Sequence, residues 1–188
     1  MNEPNTPVLS AWSNGCWIQL DLERNLYLAS ELETAPGLKV AQVAASVKLR
    51  DCPRAPPDFI PPGEMVRHYL RSAWWAWRNR YEPLRQQLRL LRSKAAKGRP
   101  RFSSVLDAER CATLYQHMRN LRFQRPACLE DSIGCALFLR RYVAPITFHI
   151  GVLQPPFRAH AWVQSGELIV NDTKAAVEDY SEILRFEP

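Results

Sequence analysis

The sequence contains few glycines, no long apolar run and no cysteine spacing typical of a metal site. Its 188 residues include seven glycines against fifteen prolines, and no stretch approaches the roughly 18 consecutive apolar residues of a membrane span. Residues 1–30 lack the basic start and apolar run of a secretory signal. Five cysteines without an export signal favour reduced thiols in a cytoplasm. These absences argue against a membrane-spanning or disulfide-rich secreted protein, and no motif for a cofactor or metal is found.

What the chain does contain is enough apolar material for a core and an uneven distribution of charge. Apolar residues make up 46% of the sequence, and the net charge is +6. Residues 66–101 hold eleven basic residues and one acidic residue, Glu82, whereas the parts on either side are slightly acidic. Such a basic segment could bind nucleic acid, an anionic membrane or an acidic peptide, so its charge alone does not identify the partner.

The pattern along the chain predicts an α+β protein with a small N-terminal module. Alternating apolar residues at 16–29 predict a hairpin that turns at residues 23–25, and residues 38–50 show helical spacing. Five prolines in the eleven residues 52–62 predict a stiff, extended connector. The predicted division is 1–51 for the strand–helix module, 52–63 for the connector and 64–188 for a second domain.

The second domain is predicted to begin with helices and to end with strands. From Gly63 an i, i+3, i+4 pattern predicts a helical region that Pro83 kinks or divides. Further helices are predicted over 104–120 and 128–143, and strands over 146–152, 159–164 and 168–172. The stripe expected to face the core on the first helix consists of Val66, Tyr69, Leu70, Ala73, Trp74 and Trp77.

The last two predicted strands place a histidine and a carboxylate on one face. If residues 165–167 form a three-residue hairpin loop, His160 lies opposite Asp172. Directly opposed side chains have Cβ atoms about 4.5–5.5 Å apart, so the carboxylate can orient the imidazole as it would in a catalytic base. Cys128 is expected in the first turn of a helix, where free N–H groups favour a thiolate. Cys128, His160 and Asp172 therefore form a candidate catalytic triad.

Each member of this triad also has an ordinary structural interpretation. A His–Asp pair can simply stabilise a hairpin, and a cysteine at a helix start can be an inert buried thiol. A slip of one residue in the hairpin would turn His160 to the other face. His149 is a rival base, but no carboxylate partner is visible for it, and Cys135 is expected in the core. Gln154, in the following loop, is a candidate donor to an oxyanion.

Three segments of the chain resemble the B proteins of lasso-peptide biosynthesis. They are CLEDS at 128–132, PFRAHAWVQ at 156–164 and LIVND at 168–172, and the resemblance covers roughly residues 64–188. It implies a papain/transglutaminase-like cysteine protease domain in which Cys128, His160 and Asp172 are the catalytic triad. It also implies the activity, which is removal of the leader from a ribosomally made precursor. A separate ATP-dependent cyclase then joins the freed core amine to an acidic side chain.

The resemblance extends to the N-terminal module. DLERNLYL at 21–28 is similar to the first hairpin of a leader-recognition domain, although a module of about fifty residues is shorter than a full domain of that kind. The implied partners are the precursor leader, bound by strand addition, and the lasso cyclase. The basic segment 66–101 becomes a candidate docking surface for the cyclase or for an acidic part of the leader, rather than for nucleic acid. Whether leader removal requires ATP is left open.

Two other functions are compatible with the same sequence. A transamidase could use the same triad, with an amine in place of water. A non-enzymatic module could bind nucleic acid or an anionic membrane through its basic helices, and Trp74, Trp75 and Trp77 beside arginines would suit an interfacial helix. This second alternative leaves the ordered Cys-His-Asp arrangement unexplained.

Overall fold

The computed structural model describes residues 8–30, 49–53, 63–95, 105–123, 125–143 and 145–188. The strands are β1 (Val8–Ser13), β2 (Cys16–Asp21), β3 (Leu26–Ser30), β4 (Arg50–Asp51), β5 (Thr147–Leu153), β6 (Arg158–Ser165), β7 (Leu168–Ile169) and β8 (Ser181–Phe186). The helices are α1 (Gly63–Arg78), α2 (Leu84–Ala95), α3 (Val105–Asn120), α4 (Cys128–Leu139) and α5 (Lys174–Val177). This arrangement confirms the predicted α+β class. None of the helices in these described ranges is long and apolar enough to cross a membrane.

The first three strands form a small antiparallel sheet in the order β1-β2-β3. Ile18 and Leu20 on β2 are fully buried, as their alternation predicts. The hairpin turn contains Asn25 at φ 54°, a left-handed conformation that asparagine tolerates. Strand β1 was not predicted, although the Asn14-Gly15 pair that joins it to β2, with φ values of 45° and 90°, is a typical hairpin turn.

Two predictions fall largely on residues that the structure does not describe. Of the helix predicted over 38–50, only residues 49 and 50 lie in a described range, and Arg50 belongs to strand β4. Of the proline-rich connector, residues 54–62 lie outside the described residues. The division of the chain into domains therefore stays a prediction.

The second sheet has five strands in the order β4-β7-β6-β5-β8, and all its pairs are antiparallel except β4 with β7. Helix α4 packs on this sheet through β6 and on α1 through its other side. Residues 131–139 are buried without interruption, which explains why residues 133–139 of α4 include no charged side chain on any face. Helix α4 is thus the central element of the core.

The face that α1 buries differs from the predicted stripe. Its buried residues are Met65, Tyr69, Ser72 and Ala76, whereas Leu70, Trp74 and Trp77 are 59%, 58% and 50% exposed. The physical reason lies in the close approach of α1 to α4. A Cβ added to Gly134 of α4 would lie 3.6 Å from the Ala76 Cβ and 3.8 Å from the Ala73 Cα. A contact this close accommodates small residues and excludes the indole rings.

The predicted break at Pro83 is confirmed, because α1 ends at Arg78 and α2 begins at Leu84. Two groups from the N-terminal sheet satisfy the free amides at the start of α2. The Leu84 N–H donates to Asn25 Oδ1 at 2.7 Å, and the Arg85 N–H donates to the Leu22 carbonyl at 3.1 Å. The β2–β3 turn therefore caps a helix that lies about sixty residues later in the chain.

The predicted register of the last hairpin is wrong by one residue. The prediction placed Gln164 opposite Leu168, whereas the structure pairs Gln164 with Ile169 and Ser165 with Leu168. The loop is therefore the two residues Gly166 and Glu167, with Gly166 at φ 59°, rather than a three-residue loop. Strand β7 also ends at Ile169, three residues earlier than predicted.

Candidate active site

Cys128 is the first residue of α4, and its side chain is half-buried. The N-cap residue Ala127 has no side chain that could cap the helix, so the first amides remain free for other acceptors. The backbone N–H groups of Leu129 and Ala161 hydrogen-bond to the Cys128 sulfur. The start of α4 thus places a thiol among donors that stabilise negative charge.

His160 connects Cys128 to Asp172. Its Nε2 lies 2.6 Å from Asp172 Oδ2, and its ring is close enough to the Cys128 thiol for each group to shift the pKa of the other. Because Nε2 is engaged by the carboxylate, Nδ1 is the nitrogen available to the thiol. Asp172 is held in turn by the Thr173 N–H, which donates to Oδ1 at 2.8 Å. The structure therefore places Cys128 beside the hydrogen-bonded pair of His160 and Asp172.

His160 and Asp172 meet although the hairpin has a different register from the predicted one. The Val170 N–H donates to the Val163 carbonyl at 2.9 Å, but the Val163 N–H donates to the side chain of Asn171 at 2.8 Å instead of to Val170. The Val170 carbonyl accepts from Gln116 Nε2 at 2.6 Å. The strand ladder therefore stops beyond Val170, and the chain bends so that Asp172 meets His160.

The charges of these residues favour a thiolate–imidazolium pair. Burial alone would raise the pKa of the Cys128 thiol, but the hydrogen bond to His160 and the backbone amides outweigh burial and lower the pKa. The hydrogen bond to Asp172, followed by the one to Cys128, raises the pKa of His160 to about 9. Burial opposes ionisation of Asp172, yet the hydrogen bonds from His160 and Thr173 keep its pKa below the ordinary value. A thiolate beside a protonated imidazole is the reactive form of a cysteine nucleophile.

A buried polar network beneath the triad locks α4 to the hairpin. Asp131, which is 1% exposed, accepts from Tyr115 Oη at 2.9 Å and from Asn171 Nδ2 at 3.1 Å, and Arg119 Nε lies 3.3 Å from it. Ser132 Oγ donates to the Ala161 carbonyl at 2.8 Å, beside His160. The sequence does not indicate these roles, although Asp131, Ser132 and Asn171 all lie in the segments CLEDS and LIVND that carry the family resemblance.

Two aromatic rings pack against the His160 imidazole. Trp162 stacks at 6.2 Å and Tyr180 lies at 5.5 Å from its ring. The opposing residue on β5 is Gly151, where an added Cβ would come within 2.7 Å of Tyr180 and 2.9 Å of Trp162. The absence of a side chain at Gly151 therefore allows both rings to pack where they do.

His149 has a carboxylate partner that the sequence did not reveal. Its Nδ1 lies 2.6 Å from Glu182 Oε2 on β8, a strand that was not predicted. The ring is 2% exposed and stacks against Trp162 at 5.3 Å. His149 is thus a buried histidine with a carboxylate partner, which corrects the expectation that it has none.

The N-terminal sheet reaches the same site. Tyr27 on β3 packs against Phe157 in the β5–β6 turn with ring centroids 5.2 Å apart, and Asn14 Nδ2 donates to the carbonyl of Gln154 in that turn at 2.6 Å. Burial and, to a smaller extent, the charge of Cys128 raise the pKa of Tyr27 to about 12. Strand β3 therefore lies beside the candidate nucleophile.

The other cysteines are poorer candidates for a nucleophile. Cys135 is fully buried, as predicted, and burial raises its pKa well above the ordinary value. Cys52 and Cys111 are also buried, and the burial of Cys52 raises its pKa. Among these thiols, Cys128 combines partial exposure with a lowered pKa.

A protein-family model described as "Transglutaminase-like superfamily" matches residues 67–185, more than half of the chain. No curated protein and no solved structure gives a match. The matched region contains Cys128, His160 and Asp172, and the family supports an activity of the cysteine-protease or transamidase type.

Proposed function

We propose, since this chain belongs to the transglutaminase-like superfamily, that it is a cysteine protease that removes the leader from a ribosomally made lasso-peptide precursor. The observation that carries the proposal is the position of Cys128 beside the hydrogen-bonded His160–Asp172 pair within the matched region. The choice of substrate rests on the resemblance of the segments at 128–132, 156–164 and 168–172 to the lasso B proteins.

In the proposed mechanism the Cys128 thiolate attacks the carbonyl carbon of the last leader residue. The oxyanion that forms accepts hydrogen bonds from free amides at the start of α4. Protonated His160 donates its proton to the leaving amine, the C–N bond breaks, and the core peptide departs with a free N-terminus. Neutral His160 then takes a proton from water, the hydroxide attacks the thioester, and the leader leaves as a carboxylic acid.

We propose that the leader binds along β3. Among the described residues β3 pairs with β2 and with no other strand, so its outer edge can accept an added strand. Leu26 and Leu28 on β3 are exposed, which leaves apolar contacts available to the leader. The proximity of Tyr27 to Cys128 supports a short path from bound leader to nucleophile.

The product of this reaction is the substrate of the next one. The core amine released at Cys128 would be condensed with an acidic side chain by the separate ATP-dependent cyclase. Leader removal itself is hydrolysis, which needs no ATP in the chemistry proposed above. An assay with and without nucleotide decides whether ATP is required for another reason.

The proposal is tested by incubating the protein with precursor peptides encoded nearby, with and without a cyclase candidate. The masses of the products are then measured by mass spectrometry. We expect a leader fragment with a free carboxylate and a core peptide with a free amine. Cys128→Ala should abolish cleavage because the nucleophile is lost, while it still binds the precursor. Cys16→Ala, which changes a cysteine on β2, is the matched control and should cleave normally.

Two outcomes contradict the proposal in different ways. Full cleavage by the Cys128→Ala variant would remove Cys128 as the nucleophile. A leader product joined to an amine, rather than a free acid, would identify a transamidase acting through the same triad.

A further inference from the structure

A polar groove lies beside the triad, on the Asp172 side. It has a volume of about 780 Å³ and runs between the second half of α3 and residues 171–173. Its far wall includes Arg125 and Pro126, and Cys128 follows Pro126 by two residues. The groove is therefore bounded by the segments that carry the candidate nucleophile and the carboxylate of the triad.

The side chains that line this groove carry a net positive charge. Arg119, Arg122 and Arg125 line it, and the lining contains one carboxylate, that of Asp172. Asp172 is already hydrogen-bonded to His160 at 2.6 Å. The groove thus presents several cations, while its own carboxylate is engaged inside the triad.

The arginines of the groove differ in how they are held. Arg119 is neutralised by the buried Asp131, whose carboxylate lies 3.3 Å from its Nε, and its Nη1 donates to the Asn171 carbonyl at 2.6 Å. Arg122 lies over the Tyr69 ring at 5.1 Å, which fixes its guanidinium against the core. Arg125 is exposed at the rim. Among the described residues, Arg119 has an ion pair with a carboxylate, whereas none is found for Arg122 or Arg125.

We propose that this groove binds an acidic side chain of the precursor peptide close to the bond that is cleaved. Planar guanidiniums match the geometry of a carboxylate and form charge-assisted hydrogen bonds with it. Pro126, which lines the groove, lies two residues before Cys128 in the chain, so the groove adjoins the segment that carries the candidate nucleophile. The inference rests on the proposed function, because the groove selects a peptide only if a peptide is bound at Cys128.

The test uses the full chain carrying Cys128→Ala, so that binding is measured without turnover. Two fluorescent nonapeptides of glycine, serine and alanine, one with two central glutamates and one with two central glutamines, are titrated by fluorescence anisotropy. We expect the glutamate peptide to bind about tenfold more tightly at low salt, as charge-assisted hydrogen bonds predict. Arg125→Glu should abolish this preference, whereas Arg110→Glu, an exposed α3 residue outside the groove, should preserve it.

Equal binding of the two peptides overturns the inference, as does an unchanged preference in the Arg125→Glu variant. Displacement of the glutamate peptide by inorganic phosphate at concentrations below the peptide dissociation constant also overturns it, because the groove would then be a phosphate site. The proposed function is judged separately by cleavage of the precursor. If the unaltered protein does not cleave the precursor but the glutamate peptide is still preferred, only the proposal of leader removal is overturned. If the precursor is cleaved and neither peptide is preferred, only the proposed binding of an acidic side chain in the groove is overturned.

Discussion

At the scale of single residues, the proposed chemistry depends on the protonation states of Cys128 and His160. The pKa of the Cys128 thiol is lowered and that of His160 is raised to about 9, and both shifts favour the thiolate–imidazolium pair. At lower pH the thiolate becomes protonated, and at higher pH the imidazole loses the proton that the leaving amine requires. Leader removal should therefore follow a bell-shaped pH profile whose alkaline limb lies near pH 9.

Replacing Asp172 by Asn tests the origin of this profile. The hydrogen bond to Asp172 is the largest contribution to the raised pKa of His160, so Asp172→Asn should move the alkaline limb to lower pH. With a weaker imidazolium beside it, the Cys128 thiol should also ionise at higher pH. Alkylation by iodoacetamide against pH, followed at Cys128 in a Cys16→Ala background, measures the second shift. Identical alkylation profiles with and without Asp172 would contradict the role given to this carboxylate.

The proximity of Cys128, His160 and Asp172 could be predicted from the sequence, whereas the residues that support them could not. His160 and Asp172 are separated by one tight turn, so they lie close together in either register of the hairpin. Asp131 lies in the first turn of α4, where a carboxylate complements the helix dipole without being buried. Its burial depends on Tyr115 and Asn171, which come from other elements and reach it only through the tertiary fold.

At the scale of elements, the sequence predicted helix and strand positions better than it predicted which faces they bury. The break at Pro83 follows from the chemistry of one residue and is confirmed. The buried face of α1 depends on its packing against α4, where Ala73 and Ala76 lie opposite Gly134, and no pattern within α1 contains that information. Strand β8 was missed because its contacts with β5 bridge about thirty residues of intervening chain.

Strand β5 offers a direct test of how an element positions His160. A Cβ at Gly151 would lie 2.7 Å from Tyr180 and 2.9 Å from Trp162, the two rings that flank His160. Gly151→Ala should therefore displace these rings, lower the cleavage rate by about tenfold to a hundredfold and destabilise the fold by about 1–3 kcal/mol. Steady-state kinetics and urea unfolding measure the two effects.

Gly134→Ala is the matched control, because the nearest atoms to an added Cβ there lie at 3.6 Å, an ordinary contact. This variant should retain its cleavage rate and its urea midpoint. If Gly151→Ala behaves like Gly134→Ala, the aromatic packing around His160 has no part in positioning the imidazole.

At the scale of the whole molecule, the N-terminal sheet is built into the core. Ile18, Leu20 and Leu22 belong to the same buried cluster as α4 and β5, and β1 packs against β8. Strand β4 pairs in parallel with β7, directly before the segment that carries Asp172. If the N-terminal sheet binds the leader, the bound leader is therefore held by the same core that positions the site of cleavage.

Removing residues 1–53 should therefore abolish folding of the remaining chain instead of releasing an independent protease. Three large buried side chains would be lost, each contributing about 1.5–3 kcal/mol of burial, and α2 would lose the cap that Asn25 supplies. The total approaches the net stability of a typical domain, about 5–15 kcal/mol. Circular dichroism on heating and the reactivity of Cys128 measure the outcome. As a control, a protease site inserted within residues 54–62 should, once cut, leave two fragments that migrate together on gel filtration. A cooperative melt of the truncated chain within a few degrees of the intact protein would instead establish two separate folding units.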